Sequence, residues 1–165
     1  LLGANKDGSY SQEKGIENIL LSLKNSGLKT DAIAMQDGSG LSDQNKVTPM
    51  LLGEVLKEAY RDFSVEPFMV SSLSRFEQSG TLKERILVDS PQRQISNMKA
   101  KKTDFLVKGI WGKTGTLSSV SSLAGYLRDE NDKIVIYVII ENGALPKDKA
   151  VQIENKIVRT LAGVL

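Results

Sequence analysis

The chain has no cysteine and no histidine among its 165 residues. Without cysteine there is no disulfide, no thiolate nucleophile and no sulfur-ligated metal. Without histidine, the Ser-His-Asp triad, the Cys-His dyad and histidine-held zinc fall away together. Hydrolytic chemistry in this chain therefore has to draw its base from a lysine or a carboxylate, and nothing in the residues calls for a cofactor or a metal. No apolar run reaches the roughly 18 residues that a membrane helix needs, so no membrane span is expected. A dominant charge of one sign is missing too, with 22 Lys and Arg against 20 Asp and Glu. That balance argues against a nucleic-acid partner, which requires a basic face that releases counterions. Lys99, Lys101 and Lys102 form the one basic cluster, and a solvated loop accounts for it.

What is present is ordinary for a globular protein: 40% apolar residues, 25% charged residues and 14 glycines. The length suits one core, so a single domain over 1–165 is expected. The chain starts at Leu1 without Met, a charged leader or a signal-like segment, and is read as a piece of a longer precursor.

The first half of the chain reads as helices and loops. Ile16, Ile19, Leu20 and Leu23 recur at helical spacing, and Gly27 stands where a C-terminal cap belongs. Ser11-Gln12-Glu13-Lys14 matches Ser-x-x-Lys, which in serine acyltransferases sets nucleophile and base one helical turn apart. The same residues carry a simpler reading, with Ser9 or Ser11 capping the helix. Ala32–Met35 is expected to be a buried strand or an extended segment. The glycines and serines of Asp37-Gly38-Ser39-Gly40-Leu41-Ser42 demand tight turns. Thr48-Pro49 opens the clearest helix, whose stripe of Leu52, Val55, Leu56, Ala59 and Tyr60 is assigned to the core. Residues 64–86 read as loop and short helices, with Thr81 or Ser79 as a cap. The polar, aperiodic stretch 87–105 reads as an exposed loop.

Strands follow: Val107 to Trp111, Val120 to Arg128, and the unbroken apolar run Ile134 to Ile140. Continuous apolar character predicts a central strand buried on both faces. A last helix presents Ala150, Ile153, Ile157, Val158 and Leu161 on one side, with Lys149, Gln152, Lys156 and Arg159 facing away. The expected class is α+β, an antiparallel sheet with packed helices. Between the first two strands lies Gly112-Lys113-Thr114-Gly115-Thr116-Leu117. A cation, a hydroxyl and an unhindered glycine backbone on an apparent edge strand suit a substrate carboxylate. By itself Lys-Thr-Gly also fits a plain strand end or turn.

Four segments in order resemble one family. They are Asp37–Ser42 with Asn45 following, Ser79–Arg85, Lys113-Thr114-Gly115-Thr116-Leu117, and Ser122-Leu123-Ala124-Gly125-Tyr126. Together they resemble the class C low-molecular-mass penicillin-binding proteins, the D-alanyl-D-alanine carboxypeptidase/endopeptidases. The resemblance implies the serine acyltransferase fold shared with β-lactamases and transpeptidases, peptidoglycan stem peptides as substrates, β-lactams as acylating ligands, and a periplasmic or extracytoplasmic location. Such enzymes use Ser-x-x-Lys, Ser-x-Asn and Lys-Thr-Gly motifs. The family's first two motifs lie upstream of the point matching Leu1, and Ser11 to Lys14 falls after that point. Ser42-Asp43-Gln44-Asn45 has one residue too many for Ser-x-Asn. The stretch 87–105 is also longer than the family usually has there.

The expectation is thus the C-terminal portion of the catalytic domain, inactive alone and partnered by the N-terminal remainder of the same protein. By the resemblance, Lys113 would be the positive pole for the substrate's terminal carboxylate. Thr114 and the Thr116 hydroxyl would hydrogen-bond that carboxylate, Gly115 would admit the ligand to the strand, and the Thr116 N–H would donate to the oxyanion. The alternative is a non-catalytic module that keeps the fold to bind peptidoglycan peptides or a protein. A third reading, an unrelated α+β domain with a chance Lys-Thr-Gly, leaves the ordered flanking segments unexplained.

Overall fold

A computed structural model describes residues 9, 11–85, 109–143 and 146–163. The expected loop at 87–105, its lysine cluster and the start of the strand expected at Val107 lie outside the described residues. By internal contacts the chain divides into two units, Leu1–Val55 and Leu56–Leu165.

In the first unit, helix α1 (Gln12–Asn25) begins where the sequence offers a cap. The Ser11 hydroxyl accepts from the Lys14 N–H at 3.2 Å and donates to Glu13 Oε2 at 2.8 Å. Capping is therefore the role Ser11 plays here. The helix ends on Gly27 at φ 79°, with Gly27 N–H to Lys24 O and Leu28 N–H to Leu23 O closing a Schellman turn. The segment after it is extended but not buried: Ala34 is exposed and bridges Lys46, while Ile33 and Met35 are half-buried. Helix α2 (Pro49–Arg61) opens as expected, the Thr48 hydroxyl accepting from the Leu51 N–H at 3.2 Å. Its expected core stripe is only half-buried, and Leu51 is its one buried residue. Ile19, Leu23, Met35, Leu52 and Val55 instead line an apolar cavity of about 440 Å³ within this unit.

The second unit carries the sheet. Helix α3 (Glu66–Ser72) leads into strand β1 (Ser74–Arg75) and a single 3₁₀ turn, Gly80–Leu82. Ser79 occupies the N-cap of that turn, but its hydroxyl takes the Arg75 N–H at 3.0 Å rather than a helical one. Strands β2 (Ile110–Thr116), β3 (Val120–Arg128) and β4 (Ile134–Asn142) follow, then helix α4 (Lys147–Ala162). All four strands are antiparallel in the order β1-β2-β3-β4. The α+β class expected from the sequence is the class observed.

Two expectations need correction. Among the described residues β4 is the outermost strand, not a central one, and β3 is interior. Its apolar run reads as continuous because Val135, Tyr137 and Ile139 join the core while Ile136, Val138 and Ile140 stay half-buried on the opposite face. The buried face of α4 is also different from the expected one. Ala150, Glu154, Val158 and Ala162, spaced four apart, are buried, whereas Ile153, Ile157 and Leu161 are exposed. A glutamate in the middle of the inward stripe turned the apparent apolar face by about one residue.

The core forms where the inward residues of β2, β3 and β4 meet α4 and the segment after β1. Phe76, Leu82, Ile110, Leu123, Leu127, Tyr137 and Val158 make its buried centre. Burying each such apolar side chain contributes about 1.5–3 kcal/mol. On the other face of β3, Tyr126 donates its hydroxyl to Leu56 O at 2.8 Å and stacks at a tilt on Tyr60.

Candidate functional site

The register of the hairpin determines what β2 presents. Leu117 N–H bonds Val120 O and Arg128 N–H bonds Gly109 O, so the hydrogen-bonded pairs of β2 and β3 fall at odd-numbered β2 residues. Backbone groups of Trp111, Lys113 and Gly115 therefore point into the sheet. Those of Ile110, Gly112, Thr114 and Thr116 point to the outer edge, as the Phe76 N–H to Ile110 O bond confirms. Strand β1 covers that edge only at Trp111 and Gly112. From Lys113 to Thr116 the edge has no strand partner among the described residues, as an edge strand expected from the sequence requires.

Side chains alternate about the same strand. Gly112, Thr114 and Thr116 share the face of Ile110, Leu123 and Leu127, where α4 packs. Lys113, Gly115 and Trp111 share the opposite face. Lys113 is exposed and donates its Nζ to the outward carbonyl of Thr114 at 2.7 Å. The Thr114 hydroxyl donates to the Thr81 hydroxyl at 2.9 Å, so the 3₁₀ turn touches the site strand directly. Gly115 has Ser122 across from it, and a Cβ there would lie 2.6 Å from Ser122 Oγ. Thr116 is exposed at the strand end.

The first half of β2 is braced. Gly112, Gly125 and Tyr137 stand in one row across three strands. The missing side chains of the two glycines leave a trough that the Tyr137 ring fills, and its hydroxyl donates to Trp111 O at 2.9 Å. A Cβ on Gly112 would lie 2.5 Å from that hydroxyl; one on Gly125 would collide with Trp111 O and lie 2.7 Å from Gly112 Cα. Burial raises the Tyr137 phenol well above its usual range, so the hydroxyl remains a donor. Outside the trough, the Arg75 guanidinium lies 5.3 Å from the Trp111 ring centroid, a cation–π contact.

The second half is held from behind. Thr116, Ser121 and Glu141 form another cross-strand row on the α4 face. Ser121 Oγ donates to Glu154 Oε1 at 2.8 Å, and Arg85 Nη1 donates to Glu154 Oε2. Glu154 is fully buried and the Arg85 side chain is 10% exposed. Removing one partner of such a pair costs about 3–5 kcal/mol, because the other charge is left unpaired. Both oxygens of Glu141 are out of solvent contact and, among the described residues, have no hydrogen-bond partner. Burial, and then the charge of Glu154, raise its carboxyl above the ordinary glutamate value. A small cavity of about 70 Å³ lies beside it, lined by Thr116 to Ser121, Lys147 and Ala150.

The glycine-rich signature in the first unit spends its polar atoms on its own loop. Asp37 accepts from the Gly40 and Ser42 N–H groups and the Ser39 hydroxyl, while Asn45 Oδ1 takes the Gln36 and Asp37 N–H groups. Removal from water acts to raise the Asp37 carboxyl, yet these donors together hold it below its ordinary value. Sequence reading singled out Lys113, Thr114, Gly115 and Thr116, which lie together on β2. It missed the contact of Thr81 with Thr114 and the buried Arg85–Glu154–Ser121 set. The one available signal was a glutamate at position 154 inside an otherwise apolar four-residue spacing. Among the described residues, no cluster of three or more acidic side chains could hold a metal, and no helix is long and apolar enough to cross a membrane.

Residues 1–164 match the D-Ala-D-Ala carboxypeptidase 3 (S13) family. The chain belongs to this family. Carboxypeptidase DacB of Mycolicibacterium smegmatis is 28% identical over 138 residues, which cover 82% of this chain and 27% of that relative. Penicillin binding protein 4 (dacB) from Haemophilus influenzae, in complex with a novel β-lactam, superposes with a TM-score of 0.76 at 24% identity, over 95% of this chain and 35% of that one. The predatory endopeptidase Bd0816 from Bdellovibrio bacteriovorus, in complex with immunity protein Bd3460, superposes with a TM-score of 0.65 at 14% identity, over 96% and 41%. This S13 family chain has the α+β fold of those two structures and spans only about a quarter to two fifths of the length of the relatives it matches.

Proposed function

We propose that this chain supplies the Lys-Thr-Gly wall of a serine-type D-Ala-D-Ala carboxypeptidase/endopeptidase that acts on peptidoglycan stem peptides outside the cytoplasm and is acylated by β-lactams. The observation that carries the reading is the open edge from Lys113 to Thr116. It joins an exposed lysine to main-chain N–H groups that point outward at Thr114 and Thr116. An edge of this kind receives an extended peptide by main-chain hydrogen bonds. Lys113 then neutralises the terminal carboxylate, the outward N–H of Thr114 and the Thr116 hydroxyl donate to it, and Gly115 lets the ligand approach the backbone. The Thr116 N–H serves as one oxyanion donor, worth about 2.7–4 kcal/mol in the transition state.

The serine and its second-motif partner come, in this reading, from the remainder of a longer polypeptide, and this chain alone is inactive. Ser11 does not fill the role, since its hydroxyl is committed to the helix cap. The test is labelling by a fluorescent penicillin, followed by mapping of the modified serine. The natural full-length polypeptide should be labelled at a serine outside residues 1–165. Its Lys113→Ala variant should be labelled about a hundredfold more slowly, the loss of one charge-assisted contact at the transition state. Labelling of the isolated chain at Ser11 would overturn the reading.

The second reading is a non-catalytic module that binds peptidoglycan peptides or a protein. The same open edge serves it, because an edge strand binds a peptide without a nucleophile. A full-length polypeptide that binds a D-Ala-D-Ala peptide but takes no penicillin label favours this module.

A further inference from the structure

One buried carboxylate reaches both sides of the site strand. Glu154 lies on α4, yet Arg85 comes from the segment that follows the 3₁₀ turn and Ser121 comes from β3. Arg85 is tied to that turn by its own N–H, which donates to Leu82 O at 3.1 Å. The turn carries Thr81, whose hydroxyl holds Thr114 on the open edge. Ser121 is the direct cross-strand partner of Thr116. Two oxygens of a single side chain thus fix the turn beside Thr114 and the strand behind Thr116.

A fully buried charge is a poor choice if cohesion is the only need. Replacing a buried ion pair by well-packed apolar side chains is often neutral or stabilising. What a carboxylate provides beyond a leucine is direction: each oxygen orients a donor from a different segment. The open edge needs that direction, because pairing with β1 reaches only to Gly112 and, among the described residues, β3 is the one strand that holds Lys113 to Thr116.

We propose that Glu154 is a positioning residue for the substrate wall: through Arg85 and Ser121 it fixes the Thr81 turn and the β2–β3 hairpin, and so the spacing of donors from Lys113 to Thr116. The proposal extends the acyltransferase reading above and rests on it. Misplacement of a site by a fraction of an ångström to an ångström costs up to about a hundredfold in rate.

The experiment compares two variants in the natural full-length polypeptide. Ser121→Ala removes one tie and keeps the ion pair. The double variant Arg85→Met with Glu154→Leu removes the charge and keeps the volume. Penicillin acylation rate, melting temperature and amide exchange at Thr114 and Thr116 are read together. Both variants should be acylated about ten- to a hundredfold more slowly while the double variant melts near the wild-type temperature. Amides of Thr114 and Thr116 should exchange faster in both. Acylation of Ser121→Ala at the wild-type rate would overturn the proposal, and so would full acylation of a stably folded double variant. If the double variant fails to fold, Ser121→Ala decides alone. If the wild type takes no penicillin at all, the acyltransferase reading has failed, and amide exchange in Ser121→Ala still decides whether the network orders the edge.

Discussion

The two halves of β2 are built on opposite plans. From Ile110 to Gly112 the strand is enclosed: β1 pairs with its outer edge, Gly125 presses against its backbone, and Tyr137 spans the trough to Trp111 O. From Lys113 to Thr116 the same strand pairs with β3 on its inner side but, among the described residues, is open at its outer edge, where Thr81 and the serine–glutamate–arginine set add the side-chain restraints. The enclosed half gains its order from close packing, which tolerates no added atom. The open half must keep its donors unspent for a ligand, so its order has to be imported from neighbours. A strand that is half wall and half anchor resolves this conflict within seven residues.

That contrast is open to attack, and the sharpest blow falls on the anchor. Gly125→Ala places a methyl group against Trp111 O and Gly112 Cα. Since neither atom is the end of a flexible side chain, the sheet must shift. We expect a loss of about 3 kcal/mol or more, beyond the usual 1–3 kcal/mol of overpacking, measured by chemical denaturation. Unchanged stability would mean the halves are not packed differently. A smaller effect is expected from Tyr137→Phe, which deletes the hydroxyl bond to Trp111 O and keeps the ring in the trough. It should cost about 0.5–1.5 kcal/mol. Amide exchange should rise more at Trp111 and Gly112 than at Thr116.

The smallest effect depends on pH and concerns the open half. Glu141 binds its proton more tightly in the native state than in the unfolded chain, because burial and Glu154 raise it. Stability therefore falls as pH rises from the ordinary glutamate value through the raised native one, and the full cost is present above it. Glu141→Gln should remove this fall, so its melting temperature should gain on the wild type more at pH 8 than at pH 5. An equal gain at both would show that the charge is already relieved, with Lys147 on the same cavity as the first suspect.

Much of this arrangement was legible in the residues, for physical reasons. The α1 cap, the Schellman glycine and the Thr48-Pro49 start are local devices, and each appears where its chemistry requires. The Lys-Thr-Gly strip was legible as an edge because a following hairpin could cover only one side of it. What escaped was decided by distant partners. Strand β1 is two residues long, too short to show alternation. The Thr81–Thr114 contact joins positions 33 residues apart. Glu154 received no assignment from the sequence, since a buried glutamate is rare unless paired, and its pair lies 69 residues upstream. The apolar run of β4 misled for another reason: hydrophobicity on both faces reports that both faces avoid water, not how many strands flank them.

The Ser118–Ser119 turn joining β2 to β3 carries a consequence of its own. Whether a backbone N–H faces the ligand or the neighbouring strand is a matter of odd or even position, and the length of that turn sets the parity. Its two serines are exposed. A single inserted or deleted residue that slipped the pairing by one would exchange the two sets, turning the donors of Thr114 and Thr116 inward and sending Lys113 to the α4 face. The residue count of the turn is thus what sets which N–H groups face outward.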